Sequence, residues 1–338
     1  MTKKITVIII AHDRRKFLPK AVASVLHQSL PKDSLEVLVV KHFRDEEFDE
    51  YLMKQGIKVL ITNEESLGSK LVLGIKHSTG SIISFLEDDD LFIADKIKNV
   101  ITYLSDESTV YYHNNYSIID EQGNIVNSSL PYLQKSRGNN SSRVNTKSLG
   151  FKTISKIVRQ GGFFNLSCIS IKRSLVLENL EKFLDVDVAI DNFLFYMAVD
   201  SGQDIVIDKR TLTHYRVHTS NNSISMEKNR NLFTKRKTEF FKNDLTGFQI
   251  IQSFSKRGVV KKYLSCRSLI PKIGLSILNN TGPSAIKFWD SILCSIRIRS
   301  AALFILTVLY ATTLFYPGFG IWFFYSYENN RINKINKL

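Results

Sequence analysis

Cysteine is scarce in this sequence, with only Cys168, Cys266 and Cys294 among 338 residues. They are too few and too scattered for a disulfide framework. Without a CxxC pair or a Cys/His cluster they also exclude a structural zinc site, so all three are expected as packing residues. Residues 11–16 lack the glycines that let a backbone approach a dinucleotide pyrophosphate, which argues against a nicotinamide-dependent dehydrogenase. No internal repeat, RNA-binding module, helix-turn-helix signature or Ser/His/Asp arrangement is evident. A secretory signal is missing too. Met1 to Lys4 precede the apolar Ile5 to Ala11, but His12, Asp13, Arg14 and Arg15 interrupt that run at once, as a strand followed by a loop would. The first domain is therefore expected to fold in the cytoplasm.

What is present in excess is positive charge. Lys and Arg number 46 against 32 Asp and Glu, a formal net charge of +14, which favours an anionic partner such as a phosphate-rich ligand or an acidic membrane surface. The excess is regional: Lys228 to Arg267 holds eleven Lys/Arg and only two acids, Glu239 and Asp244. With no recognition signature beside it, nucleic acid is not an expected partner.

Ile5 to Ile10 is a β-branched run suited to a central strand of a parallel sheet. Phe17 to Leu30 follows as a helix with apolar Leu18, Val22, Val25 and Leu26, stopped by Pro31. Leu35 to Val40, a helical Asp45 to Gln55, and Lys58 to Ile61 continue the alternation, which predicts a Rossmann-like α/β sheet. Gly68 opens a helix through Lys76, and Ser81 to Leu86 is a fourth strand. Val110 to Ile119 and Asn124 to Val126 flank a hairpin turn, and Ser128 to Ser148 is a polar loop. Structure resumes at Phe163 to Ile171, a helical region contains Asp191 to Val199, and Ile205 to Tyr215 is the last strand of this part.

The fourth strand runs directly into Glu87, Asp88, Asp89 and Asp90. Ligands of open α/β sheets sit beyond the carboxyl ends of strands, so these acids occupy the functional edge. Consecutive carboxylates repel one another unless they are solvated or countered by a cation. Alternation places Glu87 and Asp89 on one side and Asp88 and Asp90 on the other. One pair suits a hard divalent ion, and the other a helix cap or ribose hydroxyls. A solvated loop capping a helix from Asp90 to Val100 is the plain structural alternative.

These features resemble family 2 glycosyltransferases of the GT-A fold over about residues 5–220. Val7-Ile8-Ile9-Ile10-Ala11-His12-Asp13-Arg14 is similar to their first strand and base-binding loop, continued by Phe17-Leu18 and Ser24-Val25-Leu26-His27-Gln28-Ser29. Gly68-Ser69-Lys70, Gly74, Gly80 and Phe85-Leu86-Glu87-Asp88-Asp89-Asp90 look like their glycine-punctuated helix and DxD strand end. His214-Tyr215-Arg216-Val217-His218 resembles their Tyr-Arg-x-His motif. The resemblance implies a GT-A Rossmann-like mixed sheet flanked by helices that binds a nucleotide diphosphate sugar and Mg²⁺ or Mn²⁺. Ala11, His12, Asp13, Arg14, Lys41, Lys70, Glu87, Asp88 and Arg216 are then the donor-binding candidates, and Asp89, Asp90 and His218 the metal candidates. Lys41 stands where the family usually has a base-binding Asp, and lysine has no acceptor for a ring N–H. Asp13 or Asp45 would supply that acceptor for uracil, and a GDP donor is the alternative. Glu87 replaces the usual first Asp of DxD, so the register Asp88/Asp90 stays open beside Glu87/Asp89. The acceptor-side base falls on Asp191, with Asp187 as substitute and Ile190 where the family has another acid.

Beyond about Asn221 the pattern changes. Phe240 to Phe254 and Gly258 to Leu269 predict basic amphipathic helices, and Ala301 to Tyr327 contains no charged residue. Pro317, Gly318 and Gly320 break that run, and Arg297, Arg299, Arg331, Lys334 and Lys337 flank both its ends. This favours an interfacial or re-entrant hairpin on the cytoplasmic face of a membrane; a single transmembrane segment and a buried helical pair at a subunit interface are the alternatives. The expected organisation is a catalytic domain over residues 1–225, a basic helical region over 226–300 and a membrane-associated segment over 301–338. The implied reaction is inverting transfer of a sugar to a hydroxyl of a lipid-linked saccharide. A polyprenyl-phosphate acceptor, or a non-catalytic scaffold that binds nucleotide or membrane, are the other readings.

Overall fold

The computed structural model describes residues 5–12, 14–126, 141–186, 189–218, 229–279, 288–313, 315–316 and 318–335, with all their side chains except those of Lys32 and 328–335. Asp13 and Asp187 lie outside the described residues, as do 128–140 of the expected polar loop and Pro317. The contacts divide the chain into two compact units. The first comprises Met1–Ile125, Ser136–Ser148 and Gln160–Arg216; the second comprises Val126–Lys135, Leu149–Arg159 and Val217–Leu338.

The first unit is built on one mixed sheet. Strands β1 (Ile5–Ile10), β2 (Leu35–Lys41), β3 (Lys58–Ile61) and β4 (Ile82–Glu87) form its parallel half. Helices α1 (Leu18–Leu26), α2 (Glu46–Lys54) and α3 (Leu67–His77) connect them. All of β1 is buried, as a β-branched run covered on both faces should be. The chain then forms β5 (Leu91–Phe92), α4 (Lys96–Leu104), β6 (Thr109–Ile119) and β7 (Ser142–Asn145). After α5 (Phe151–Arg159), which belongs to the second unit, come β8 (Ile169–Lys172), α6 (Arg173–Leu177), α7 (Ile190–Asp200) and β9 (Asp204–Arg216).

The strand order is β3-β2-β1-β4-β8-β6-β9-β5, with β7 also on β9. Strand β8 is antiparallel to both β4 and β6, so the sheet is mixed and GT-A-like. Gly74 of α3 lies on the sheet where a Cβ would come within 2.7 Å of the Ile8 side chain. Gly68, in the first turn of the same helix, lies under the turn at 183–186, where a Cβ would stand 2.0 Å from the Phe183 carbonyl oxygen. That close approach draws the segment leading to α7 onto the start of α3.

Several local expectations differ from the structure. Helix α1 stops at Leu26 because Gln28 and Ser29 bond to the chain at Ile93, Ala94 and Ile97. Asp90 precedes β5, and the helix expected there begins at Lys96. The return from the turn at Asp120–Gly123 makes one bridge, Ile119 to Ile125.

The second unit is helical. It joins α5 to α8 (Arg230–Phe254), α9 (Gly258–Arg267), α10 (Leu269–Leu278), α11 (Phe288–Arg297), α12 (Ala301–Thr313) and α13 (Phe319–Ile335). Phe241 of α8 fills the space above Gly274 of α10 and meets Phe324 of α13 edge-on at 6.0 Å. Cys266 and Cys294, expected as separate packing residues, form a disulfide between α9 and α11 with Cα atoms 5.3 Å apart; Cys168 is free and buried. Within the charge-free stretch, α12 ends at Thr313 and α13 begins at Phe319. Among the described residues no helix is long and apolar enough to cross a membrane, which leaves the single transmembrane segment without support.

Candidate active site

Strands β1 and β4 lie side by side with Ile10 opposite Glu87, so their carboxyl ends deliver two functional segments to one edge. The Asp88 N–H donates to the Ile10 carbonyl at 3.1 Å, and the His12 N–H donates to Asp88 Oδ2 at 2.9 Å. Arg14 closes over both acids: its Nε lies 2.9 Å from Asp88 Oδ1, and its Nη1 contacts Asp89 Oδ2. From α3, Lys70 brings its buried ammonium to 2.9 Å from His12 Nδ1, and the His42 ring stands 5.5 Å from that of His12. Ala11, His12, Arg14, Lys70, Asp88 and Asp89 are thus one constellation.

Asp90 turns inward. It accepts from Asn165 Nδ2 at 2.9 Å and from the Arg216 N–H at 2.9 Å. Arg216 is fully buried, and its guanidinium donates to the carbonyls of Asp89 at 2.8 Å, Asp120 at 2.8 Å and Glu121 at 3.0 Å. It braces the acidic turn from behind. The half-buried Glu87 anchors the end of β4 through its N–H, which donates to Ser167 Oγ at 3.0 Å.

Asn165, Ser167 and Lys96 were not apparent in the sequence. Asn165 has φ 69°, a left-handed conformation that asparagine tolerates, and its Oδ1 accepts from the Ser167 N–H at 2.6 Å. Lys96 is buried under the acids, with Nζ donating to the Ser167 carbonyl and to Thr213 Oγ1. Burial lowers its pKa to about 7.

Burial and mutual repulsion both disfavour negative charge on these acids. Burial, then repulsion from Asp89 and Asp90, pushes Glu87 well above the usual carboxylate range. Burial raises Asp88 to about 6 against the pull of Arg14, and burial with repulsion from Asp89 raises Asp90 to about 7. Burial works against the Arg14 charge, but Asp89 and Asp88 hold its pKa above the ordinary value. Among the described residues no three His, Cys, Asp or Glu side chains form a metal cluster. The donor set instead fits an ion that takes one or two carboxylates and completes its shell with phosphate oxygens and water.

The remaining candidates are placed as follows. Lys41 is fully buried, its ammonium on Asp49 and 4.6 Å from the Phe43 ring centre, so it is turned into the fold. Asp45 caps α2 by accepting from the Phe48 N–H at 3.2 Å. Asp191 is half-buried in the first turn of α7 and accepts from the Asn192 N–H at 2.7 Å. His218 is buried two residues past β9, in the second unit.

Residues 6–173 match the family model described as Glycosyl transferase family 2. This segment belongs to glycosyl transferase family 2. A relative in Rickettsia bellii, described as an uncharacterized glycosyltransferase, is 30% identical over 129 residues, which are 37% of this chain and 18% of that protein. The chain thus spans under a fifth of that relative's length. An uncharacterized glycosyltransferase of Rickettsia typhi is 22% identical over 275 residues, covering 77% of this chain and 82% of its own. Solved structures share the fold of the chain. S. aureus TarS 1–349 in complex with UDP-GlcNAc superposes with TM-score 0.54 at 13% identity, covering 91% of each chain. The mannosyltransferase PcManGT from Pyrobaculum calidifontis, in complex with GDP-Man and Mn²⁺, does so with TM-score 0.54 at 12% identity, covering 99% of this chain and 86% of that one.

Proposed function

We propose that this chain transfers a sugar, with inversion, from a nucleotide diphosphate donor to a hydroxyl of a saccharide carried on a lipid. The observation that carries the reading is the buried acidic turn, engaged by Arg14, at the joint end of β1 and β4, beside His12 and Lys70, in a family 2 segment. Solved structures of the same fold were determined with UDP-GlcNAc and with GDP-Man and Mn²⁺, which supports a nucleotide sugar as donor here. Because Lys41 is committed to Asp49, recognition of the base falls to the loop at Ala11–Arg14 and to His42.

Asp89, with Asp88 or Glu87, would hold Mg²⁺ or Mn²⁺ against the donor diphosphate. Bound there, the ion would neutralise charge that develops on the leaving group. Arg14 would give up its contact with Asp89 and reach the phosphates, for which a guanidinium fork is well suited. Arg216 and Asn165 keep Asp90 and the turn in place while this exchange occurs. By its motif alone, His218 is a candidate for the metal or the diphosphate. Asp191 takes the acceptor proton as the oxygen attacks.

The test is a screen of nucleotide sugars with Mn²⁺, reading released nucleotide and mass added to lipid-linked saccharides from a membrane extract. Chelator should abolish turnover, and Asp89→Ala should lose donor binding with an unchanged circular dichroism spectrum. Full turnover in metal-free buffer would overturn the metal assignment; inertness towards every nucleotide sugar would overturn the whole reading.

A further inference from the structure

The second unit exposes apolar side chains in a way that burial alone does not explain. Helix α11 is packed inside out. Its Ser291 and Ser295 are buried, whereas Trp289, Leu293 and Ile296 are 73%, 50% and 65% exposed. Their spacing of four and three residues sets these three on a single face. Asp290 and Arg297, both exposed and seven residues apart, form one border of that face.

Helix α12 continues the pattern. It contains no charged residue and buries Leu303, Leu306 and Tyr310 on one side, yet leaves Phe304, Ile305 and Val308 exposed on the other. A helix apolar all round belongs in a core or in lipid. The turn into α13 adds Phe315 and Tyr316, both more than 70% exposed, and then Trp322. At about 1.5 Å per residue the 13 residues of α12 extend about 20 Å, short of the roughly 30 Å hydrocarbon core.

We propose that α11, α12 and the turn into α13 form a face that inserts into one leaflet of an anionic bilayer and holds the chain on its surface. Charge selects this partner. Arg297 and Arg299 stand exposed between the two helices, and exposed Lys235, Lys242, Lys256 and Lys261 belong to the basic stretch from Lys228 to Arg267. A unit that exposes basic side chains as well as Trp, Tyr and Phe suits the headgroup region, where aromatic rings settle and anionic lipid attracts Lys and Arg. The inference is independent of the transfer reaction, because it concerns the second unit alone.

The chain offers its own probe: its only two tryptophans, Trp289 and Trp322, are both exposed, on α11 and at the start of α13. Adding phosphatidylglycerol/phosphatidylcholine vesicles to the full chain should shift tryptophan emission to the blue and carry the protein up in a flotation gradient. Vesicles of phosphatidylcholine alone should bind less, and added salt should weaken the anionic case. The triple change Trp289→Ser, Leu293→Ser and Ile296→Ser should reduce flotation at least tenfold with helix content and nucleotide-sugar binding unchanged. Two results overturn the proposal. One is no flotation with anionic vesicles. The other is a concentration-dependent dimer in lipid-free buffer that the same triple change dissociates, which would make the face a contact between copies of this chain.

Discussion

Asp191 makes the sharpest test at the level of single residues. It sits in the first turn of α7, where the positive end of the helix favours a carboxylate whatever its task. Asp191→Asn keeps the volume and the N–H contact but removes the proton acceptor. Nucleotide-sugar binding should therefore persist while single-turnover transfer falls by about 10² to 10⁴. Near-normal transfer would move the base elsewhere or show that the acceptor is already ionised. The residues legible in the sequence are those joined by local chain: Ala11, His12 and Arg14 follow one strand, and Glu87 to Asp90 end another. Asn165 was hidden because it reaches Asp90 across 75 residues and lies in a left-handed conformation that no periodicity announces. Lys41 was misleading for the opposite reason. Its position after β2 suggested a ligand, yet Asp49, eight residues on, holds its ammonium inside the fold.

Among the elements, α3 depends on Gly68. Any Cβ there meets the Phe183 carbonyl, which is backbone and cannot rotate away. Gly68→Ala should cost about 1 to 3 kcal/mol, seen as a lower urea midpoint, and should displace the segment that leads into α7. An unchanged midpoint would show that the 183–186 turn is not held in this way. Helix α8 carries a pH effect. Burial raises Asp244 from 3.8 to about 6, although Arg267 and Lys237 pull it down. Its protonated form is thus favoured in the folded state, and its stabilising contribution is complete below about pH 4 and lost as the pH rises through about 6. Asp244→Asn should raise the melting temperature at pH 7.5, and the gain should shrink as the pH falls and vanish below about pH 3.5. Strands β1, β2 and β4 were legible because each is a largely buried apolar run of ordinary length, and the more exposed β3 because its short apolar run follows a helical stretch. The two residues of β5 were not, since β9 alone makes them a strand. Helix α10 was missed for its Pro271, which falls in the first turn, where a missing N–H costs little.

The two units of the whole molecule differ in how their chains are tied. Only the second has a disulfide, Cys266–Cys294, closing a separation of 28 residues. A loop of that length implies about 3.6 kcal/mol by the chain-entropy account. Dithiothreitol should therefore lower the melting temperature of the wild type and leave Cys266→Ser unchanged; equal responses would mean that the bond is absent in solution. The first unit is tied by long-range pairing, in which β9 joins β5, β6 and β7. Arg216, its last residue, reaches back 126 positions to Asp90. During synthesis the four acids emerge long before Asn165, and Arg216 comes last. A chain still on the ribosome therefore has the repulsion of the site without the groups that hold it, and the donor edge is completed only after the final strand has been translated and slotted between its neighbours.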